Sequence, residues 1–418
     1  MKILVLGAGI AGVTAAHELS ARGHDVTVVE RHETSAMETS FANGGQLSYS
    51  HAEPWASPAV LGKIAKWIWK KDSPLLFRFN ADPNMWVWGL KFLRNCTTKR
   101  ALYNAENTLR LALYSRQVMH DIVREHPMEF SYRQAGIVHI FRKESGLNAG
   151  IKQAQWQQDR GCPFETLSAE EVVRRVPTLA NLKGGLTGGL FFPYDESGDI
   201  HTFCRRLSEI DASKRQVKYL YHTPIDRVLM NGDKIEGVKT SKGILKADAY
   251  VMAAGSYSAL LLKQVGIKIP VYPMKGYSIS VPLKEGDPVP ECSVTDQDQK
   301  LVYSKLGNVL RVAGTAEFAG YSHTITRHRV DSLKRQVKQL FAGCGDVERA
   351  TEWACIRPST PDGAPIIGQT KYSNLFLHTG HGTLGWTLAP GSARILADIV
   401  EGKTPEIDTE GLTLDKYR

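Results

Sequence analysis

The chain has 418 residues, 42% hydrophobic and 23% charged, with 37 Gly and 19 Pro, a composition that excludes disorder, collagen and coiled coil. Six cysteines with no C-x-x-C pair (Cys96, Cys162, Cys204, Cys292, Cys344, Cys355) speak against a disulfide scaffold or zinc ribbon and fit a reduced, cytoplasmic compartment. The 52 Lys and Arg against 43 Asp and Glu leave +9, of which +7 is confined to residues 61–100, too local for a general nucleic-acid surface.

The length predicts two intimately packed domains, and no apolar run reaches the roughly 18 residues of a membrane span. Ile3-Leu4-Val5-Leu6 reads as a strand buried on both faces. Gly7-Ala8-Gly9-Ile10-Ala11-Gly12 follows, then a helical pattern to about Arg22 and a second strand, Val26–Val29, ending at Glu30. The fixed glycine spacing distinguishes this segment from a signal peptide. Residues 55–127 read as mainly helical, with a long amphipathic stretch over Glu106–Glu125. Ser168-Ala169-Glu170-Glu171 has capping-box form. Val217–Ala254 turns to strands, with Asn231-Gly232 as a hairpin signal. Val271–Glu317 reads as antiparallel strand with a turn at Gly307-Asn308, and Ser332–Phe341 as helix. The strand Leu375–His378, a Gly-rich turn and a helix over about Gly385–Val400 return to α/β.

The hexapeptide G-x-G-x-x-G follows a strand, opens a helix, and is answered by Glu30, 18 residues after Gly12. Gly7 permits the tight turn, Gly9 the approach of a pyrophosphate, and Gly12 close helix–strand packing. The helix N-terminus attracts phosphate, and Glu30 suits ribose hydroxyls and disfavours a 2′-phosphate. Two later segments favour FAD over NAD. The strand Ala249–Met252 ends in Ala253-Ala254-Gly255, and Gly380-His381-Gly382-Thr383-Leu384-Gly385-Trp386-Thr387 sets a helix N-terminus where it can face a flavin pyrimidine.

Five of the eight tryptophans (Trp55, Trp67, Trp69, Trp86, Trp88) fall within or beside the basic stretch, interleaved with Lys63, Lys66, Lys70 and Lys71. Two readings stand side by side. One is a helical cap whose tryptophans pack inward; the other is a peripheral contact of residues 55–100 with anionic lipid on the inner face of the cytoplasmic membrane.

Taken together, these motifs resemble the D-amino-acid oxidase superfamily of FAD amine oxidoreductases, and within it the bacterial D-amino acid dehydrogenase branch. The carriers are Gly7–Gly12 with Glu30-Arg31, Glu38–Gln46, Tyr272–Ser278, Arg357-Pro358-Ser359-Thr360-Pro361-Asp362-Gly363 and His378–Thr387. The resemblance is collinear over essentially the whole chain. It implies an α/β (α+β) two-domain protein: a Rossmann-like FAD-binding domain of discontinuous segments (1–50, 201–258, 351–418) and a largely antiparallel-sheet substrate domain (136–200, 259–350), with 51–135 as a helical insertion.

For the cofactor, the resemblance implies FAD held by Gly7, Gly9, Ile10, Ala11, Gly12, Glu30 and Arg31. Ser40 and the turn Asn43, Gly44, Gly45 and Gln46 would approach the flavin, and the backbone of Ile225 the adenine. Ala254, Gly255 and the turn Gly380, His381, Gly382, Thr383, Leu384, Gly385, Trp386 and Thr387 would complete the site. His381 is read as a turn residue. No metal is expected.

For the reaction, the resemblance implies that Arg357 clamps the substrate carboxylate, with Tyr277, Tyr257 and Tyr303 as candidates to assist. A bidentate guanidinium fixes Cα against the flavin, so a hydride can leave without a side-chain base. Cys355 stands near the position that carries flavin covalently in sarcosine-oxidase relatives, but Arg357-Pro358 follows the non-covalent pattern, so a buried unreactive thiol is expected. The expected activity is oxidative deamination of D-amino acids to 2-oxo acids and ammonia, with electrons passed to a quinone or respiratory-chain acceptor. The alternative is a glycine, sarcosine or proline oxidase or dehydrogenase. A flavin-binding RNA-modification factor and a non-catalytic module are the rivals from other classes.

Overall fold

The computed structural model describes residues 1–67, 75–77 and 82–417. Strand Lys2–Leu6 lies between the parallel strands Asp25–Val29 and Ala249–Met252. Leu375–Thr379 and Lys218–Leu220 extend this sheet on either side, and the antiparallel Ile366–Gln369 ends it. The first strand shows why its sequence is apolar throughout. Ile3 and Val5 face one core, with helices Ile10–Ala21, Thr98–Glu125, Ile200–Lys214 and Gly385–Val400; Leu4 and Leu6 face the other, under the three-stranded sheet of residues 225–245 and helix Ser258–Lys263.

A second, nine-stranded sheet runs in the order Thr351–Ser359, Tyr272–Pro282, Val309–Phe318, Leu301–Leu306, Ser293–Asp296, Ile137–Phe141, Gly188–Phe192, Glu165–Ser168. Its pairs are antiparallel except for Ser293–Asp296 with Ile137–Phe141 and for the short strand Leu75–Phe77 against Val309–Phe318. One face buries Tyr277, Ile279, Val312 and Tyr303 under helix Arg327–Leu340. The opposite face meets the nucleotide-binding layer. There the Asn43–Gln46 turn comes so close that a β-carbon on Gly44 would lie 2.5 Å from Val302.

The local signals are realised with shifted boundaries. Ser168 and Glu171 form the reciprocal capping box, and the turns fall at Gly232 and Gly307. The long helix starts at Thr98 rather than about Glu106, because the Thr97 side chain caps it by accepting from Arg100 N. It packs on helix Gly385–Val400 within the nucleotide-binding layer rather than standing apart as an insertion. The last substrate-domain helix begins at Arg327 instead of Ser332, since Val330 already belongs to its buried stripe with Leu333, Val337 and Leu340. Of the basic aromatic stretch, Trp69, Lys70, Lys71 and Arg78 lie outside the described residues, as do the side chains of Lys63, Lys66 and Trp67.

Candidate active site

A cavity of about 380 Å³ opens at the C-terminal ends of the parallel strands, where ligands of such sheets bind. Gly7, Gly9, Ile10 and Ala11 line it after the first strand, Glu30 and Arg31 after the second, and Ala254 and Gly255 after the third. Gly7 takes φ +108°, a conformation that favours glycine, and a β-carbon on Gly12 would lie 1.8 Å from the Gly7 carbonyl oxygen. Ala8 N donates to Glu30 Oε2 (2.8 Å) and His32 N to Oε1 (3.0 Å), so the carboxylate is held at the strand end. Ser40 lines the cavity and accepts from Ile10 N (3.2 Å), tying the phosphate-side loop to the helix start. Asn43, Ile225, His381, Gly382, Gly385 and Trp386 complete the predicted cofactor-binding residues found on its wall.

Other predicted contacts act at one remove. Gly12 and Gly380 are close-packing points: a β-carbon on Gly380 would meet Thr360 at 2.8 Å. Gly44 and Gly45 press on Val302 and Leu306, and Gln46 accepts from Thr295 Oγ1. Thr387 Oγ1 accepts from Ser48 N (3.0 Å), fastening strand Gln46–Leu47 to the C-terminal helix. Thr383 and Leu384 line a second, apolar cavity instead.

His381 is more than a turn residue. Its Nε2 lies 2.8 Å from Ser392 Oγ, which lies 2.7 Å from His378 Nε2, while His378 Nδ1 donates to Ala11 O (2.8 Å). Burial lowers the pKa of His378 to about 4 and holds that of His381 well below its usual value, so both rings are neutral. Since Nδ1 of His378 carries its one proton, Nε2 of His378 accepts from Ser392, whose hydroxyl also lies 3.1 Å from Ala389 O, and His381 donates to Ser392. The link from His378, which stands in the family motif, to Ser392 is invisible in the sequence because only tertiary contact joins them.

Arg357 lies on the inner face of the second sheet, where a β-carbon on the neighbouring Gly276 would come within 2.3 Å of its guanidinium. It donates to Thr315 O (3.2 Å), and among the described residues no carboxylate lies within ion-pair distance. Burial depresses its pKa to about 10, so it remains a cation at neutral pH. A desolvated guanidinium without an acid is a built receptor for an incoming carboxylate. Gly276, inside the Tyr272–Ser278 motif, was the one signal for this contact and was not singled out.

The tyrosines are corrected. Tyr277 and Tyr303 sit in the apolar cluster on the outer face of the sheet: Tyr277 bonds Glu317 and Thr326, and Tyr303 packs edge-on against Phe341 at 5.1 Å. Side chains alternate along a strand, so Tyr277 points away from the face that carries Gly276. Tyr257 lies on the cofactor cavity, under the Arg31 guanidinium at 4.3 Å, with its hydroxyl 3.0 Å from His323 Nε2. Cys355 is buried, 3.5 Å from both Glu38 Oε2 and Thr39 Oγ1, and burial raises its thiol pKa.

A family model described as FAD dependent oxidoreductase matches residues 2–399. The chain belongs to this FAD-dependent oxidoreductase family. A D-amino acid dehydrogenase of Bradyrhizobium diazoefficiens is 45% identical over 417 residues, spanning 100% of this chain and 99% of the relative. One of Paramagnetospirillum magneticum is 44% identical over 418 residues, with coverage of 100% and 99%. Among solved structures, glycine oxidase from Geobacillus kaustophilus matches with a TM-score of 0.76 at 22% identity, covering 99% of this chain and 97% of that one. L-Proline dehydrogenase from P. horikoshii matches with a TM-score of 0.76 at 21% identity, covering 100% and 97%. These two likenesses speak for the fold alone.

The FAD-dependent oxidoreductase carries residues that fit its cofactor. A β-carbon on Gly9 would meet nothing nearer than Ser40 Oγ at 3.8 Å, so the chain's own packing does not require glycine there. The space it leaves is what a pyrophosphate needs at the N-terminus of helix Ile10–Ala21, whose first turn has no acid to repel phosphate. Helix Gly385–Val400 points a second N-terminus at the cavity through Gly385 and Trp386.

Proposed function

We propose that this flavoprotein oxidises D-amino acids to 2-oxo acids and ammonia and passes the electrons to a quinone-like acceptor at a membrane. The observation that carries the first part is Arg357, a buried guanidinium that no carboxylate of the described residues pairs, between Ile356 and Pro358 on the wall of the cofactor cavity; the naming of the full-length relatives supports the D configuration. Bound FAD would supply the acceptor for a hydride from the substrate Cα, leaving an imino acid that water hydrolyses. Arg357 would hold the carboxylate, with Gly276 clearing the space for its guanidinium. Glu30, the Gly7–Gly12 turn and the N-terminus of helix Gly385–Val400 would hold the cofactor. Anaerobic addition of D-alanine, L-alanine, D-proline, L-proline and sarcosine tests the reading. Bleaching of the flavin by D-amino acids, with recovery faster on adding a soluble quinone than in air, is expected. Bleaching by L-proline or sarcosine alone would overturn it in favour of a sister activity.

The membrane contact rests on helix Pro83–Asn95. Met85, Trp88 and Phe92 are buried, yet Trp86, Val87, Leu90 and Leu93 on its outer side are each half exposed or more, and Leu102 and Tyr103 on the next helix are exposed too. Lys91, Arg94, Lys99 and Arg100 lie in the same stretch of the chain. Exposed apolar side chains in a basic stretch suit an anionic lipid surface. Among the described residues no helix is long and apolar enough to cross a membrane. Cosedimentation with phosphatidylglycerol vesicles should be salt-sensitive and weakened at least tenfold by Leu90→Glu; binding of both forms alike would sink this part.

A further inference from the structure

We infer that the second, apolar cavity seats the substrate's side chain and selects apolar D-amino acids over D-alanine and D-glutamate. The inference deepens the proposed activity and rests on Arg357 holding the carboxylate.

Position is the first argument. Met274, on the cavity wall, is the cross-strand partner of Arg357, and Ser359, two residues beyond Arg357, lines the cavity too. Gly382 lines both this cavity and the cofactor cavity, so the two meet at the turn before the C-terminal helix. A carboxylate on Arg357 therefore leaves the other substituent of Cα beside Met274.

Chemistry is the second. Trp55, Ala56, Trp88, Phe92, Met274 and Phe318 form an apolar wall. Trp88 stacks on Phe92 at 5.3 Å and lies 4.9 Å from Phe318, and its Nε1 donates to Ser359 O (2.9 Å), so the indole is fixed in place. The supporting helix is tethered as well, since Tyr272 donates to Asp82 at its N-terminus (2.9 Å). Among the described residues that line the cavity there is no Lys or Arg to hold an anionic side chain. Alanine would leave most of this wall untouched, whereas each methylene seated in a tight apolar pocket raises selectivity about tenfold or more.

The test is kcat/KM of the holoenzyme with a dye acceptor for D-alanine, D-leucine, D-phenylalanine and D-glutamate. Ala56→Ile fills the cavity and should lower the D-leucine to D-alanine ratio at least tenfold; Phe92→Leu widens it and should raise the D-phenylalanine to D-leucine ratio severalfold. Retained flavin absorbance shows that each variant is folded, and either variant alone can decide. Ratios within twofold of wild type, or D-glutamate used as well as D-leucine, would overturn the inference. Arg357→Lys separates it from the reading beneath: a uniform loss across all substrates upholds the carboxylate clamp, and no loss removes the clamp while the ratios still report on the cavity.

Discussion

The guanidinium of Arg357 occupies the space over Gly276 that any other residue would fill with a β-carbon, 2.3 Å from Cζ and Nη2. Position 276 is thus a clearance for the guanidinium that the proposed clamp requires. Gly276→Ala should displace the guanidinium and lower kcat/KM by about 10²-fold, the cost of a misplacement near 1 Å. Flavin content should be unchanged, because Gly276 is not on the cofactor cavity. Steady-state kinetics with a flavin-to-protein ratio check both halves; full activity would mean the clamp lies elsewhere.

Two glycines of the nucleotide turn should fail differently. A β-carbon on Gly12 collides with the chain itself, 1.8 Å from Gly7 O, while one on Gly9 meets only Ser40 Oγ at an uncrowded 3.8 Å. Gly12→Ala is expected to cost both folding and cofactor. Gly9→Val should leave a folded apoprotein, with native far-ultraviolet circular dichroism, that binds FAD at least tenfold more weakly. Equal FAD affinity in Gly9→Val would place the pyrophosphate elsewhere.

Cys355 is buried against Glu38 and Thr39 with its thiol pushed up, conditions that suppress the thiolate. All flavin should therefore leave the protein on denaturation, and Cys355→Ala should retain FAD. Fluorescence that follows the denatured polypeptide on a gel would contradict this.

Asp195 is fully buried and burial lifts its carboxyl to about 7, although Ser50 N and Oγ both donate to it. An unfolded aspartate titrates near 4. Between about pH 4 and about pH 7 the native state keeps a proton that the unfolded chain has released, so this group's contribution to stability is full below that window and falls as pH rises through it. Asp195→Asn should lack the fall and gain on the wild type by about 1–3 kcal/mol between pH 4.5 and 8. Urea midpoints at the two pH values measure it; a constant difference would show that Asp195 is ionised throughout.

What was legible in advance was local. The strand–turn–helix at residues 2–22, the acid at Glu30, the capping box at Ser168 and the hairpin at Gly232 are each written within about thirty residues, because dihedral preference and hydrophobic period act over that range. Arg357 was legible through its motif, and so was the family's cofactor.

The rest depends on which faces meet. A strand's period of two sends Gly276 to the inner face and Tyr277 to the outer, and nothing in Tyr272–Ser278 alone says which face looks at the cofactor. The long helix joined the nucleotide-binding layer through packing on a helix nearly 300 residues later in the chain. The His378–Ser392–His381 chain, the uncrowded position of Gly9 beside Ser40 and the apolar cavity beneath helix Pro83–Asn95 are likewise products of distant segments. The sequence by itself determined the elements, the dinucleotide turn and the charge of the clamp. Only the tertiary structure decided which side chains surround that charge, because burial and the loss of a counter-ion belong to the packed chain and not to any one segment of it.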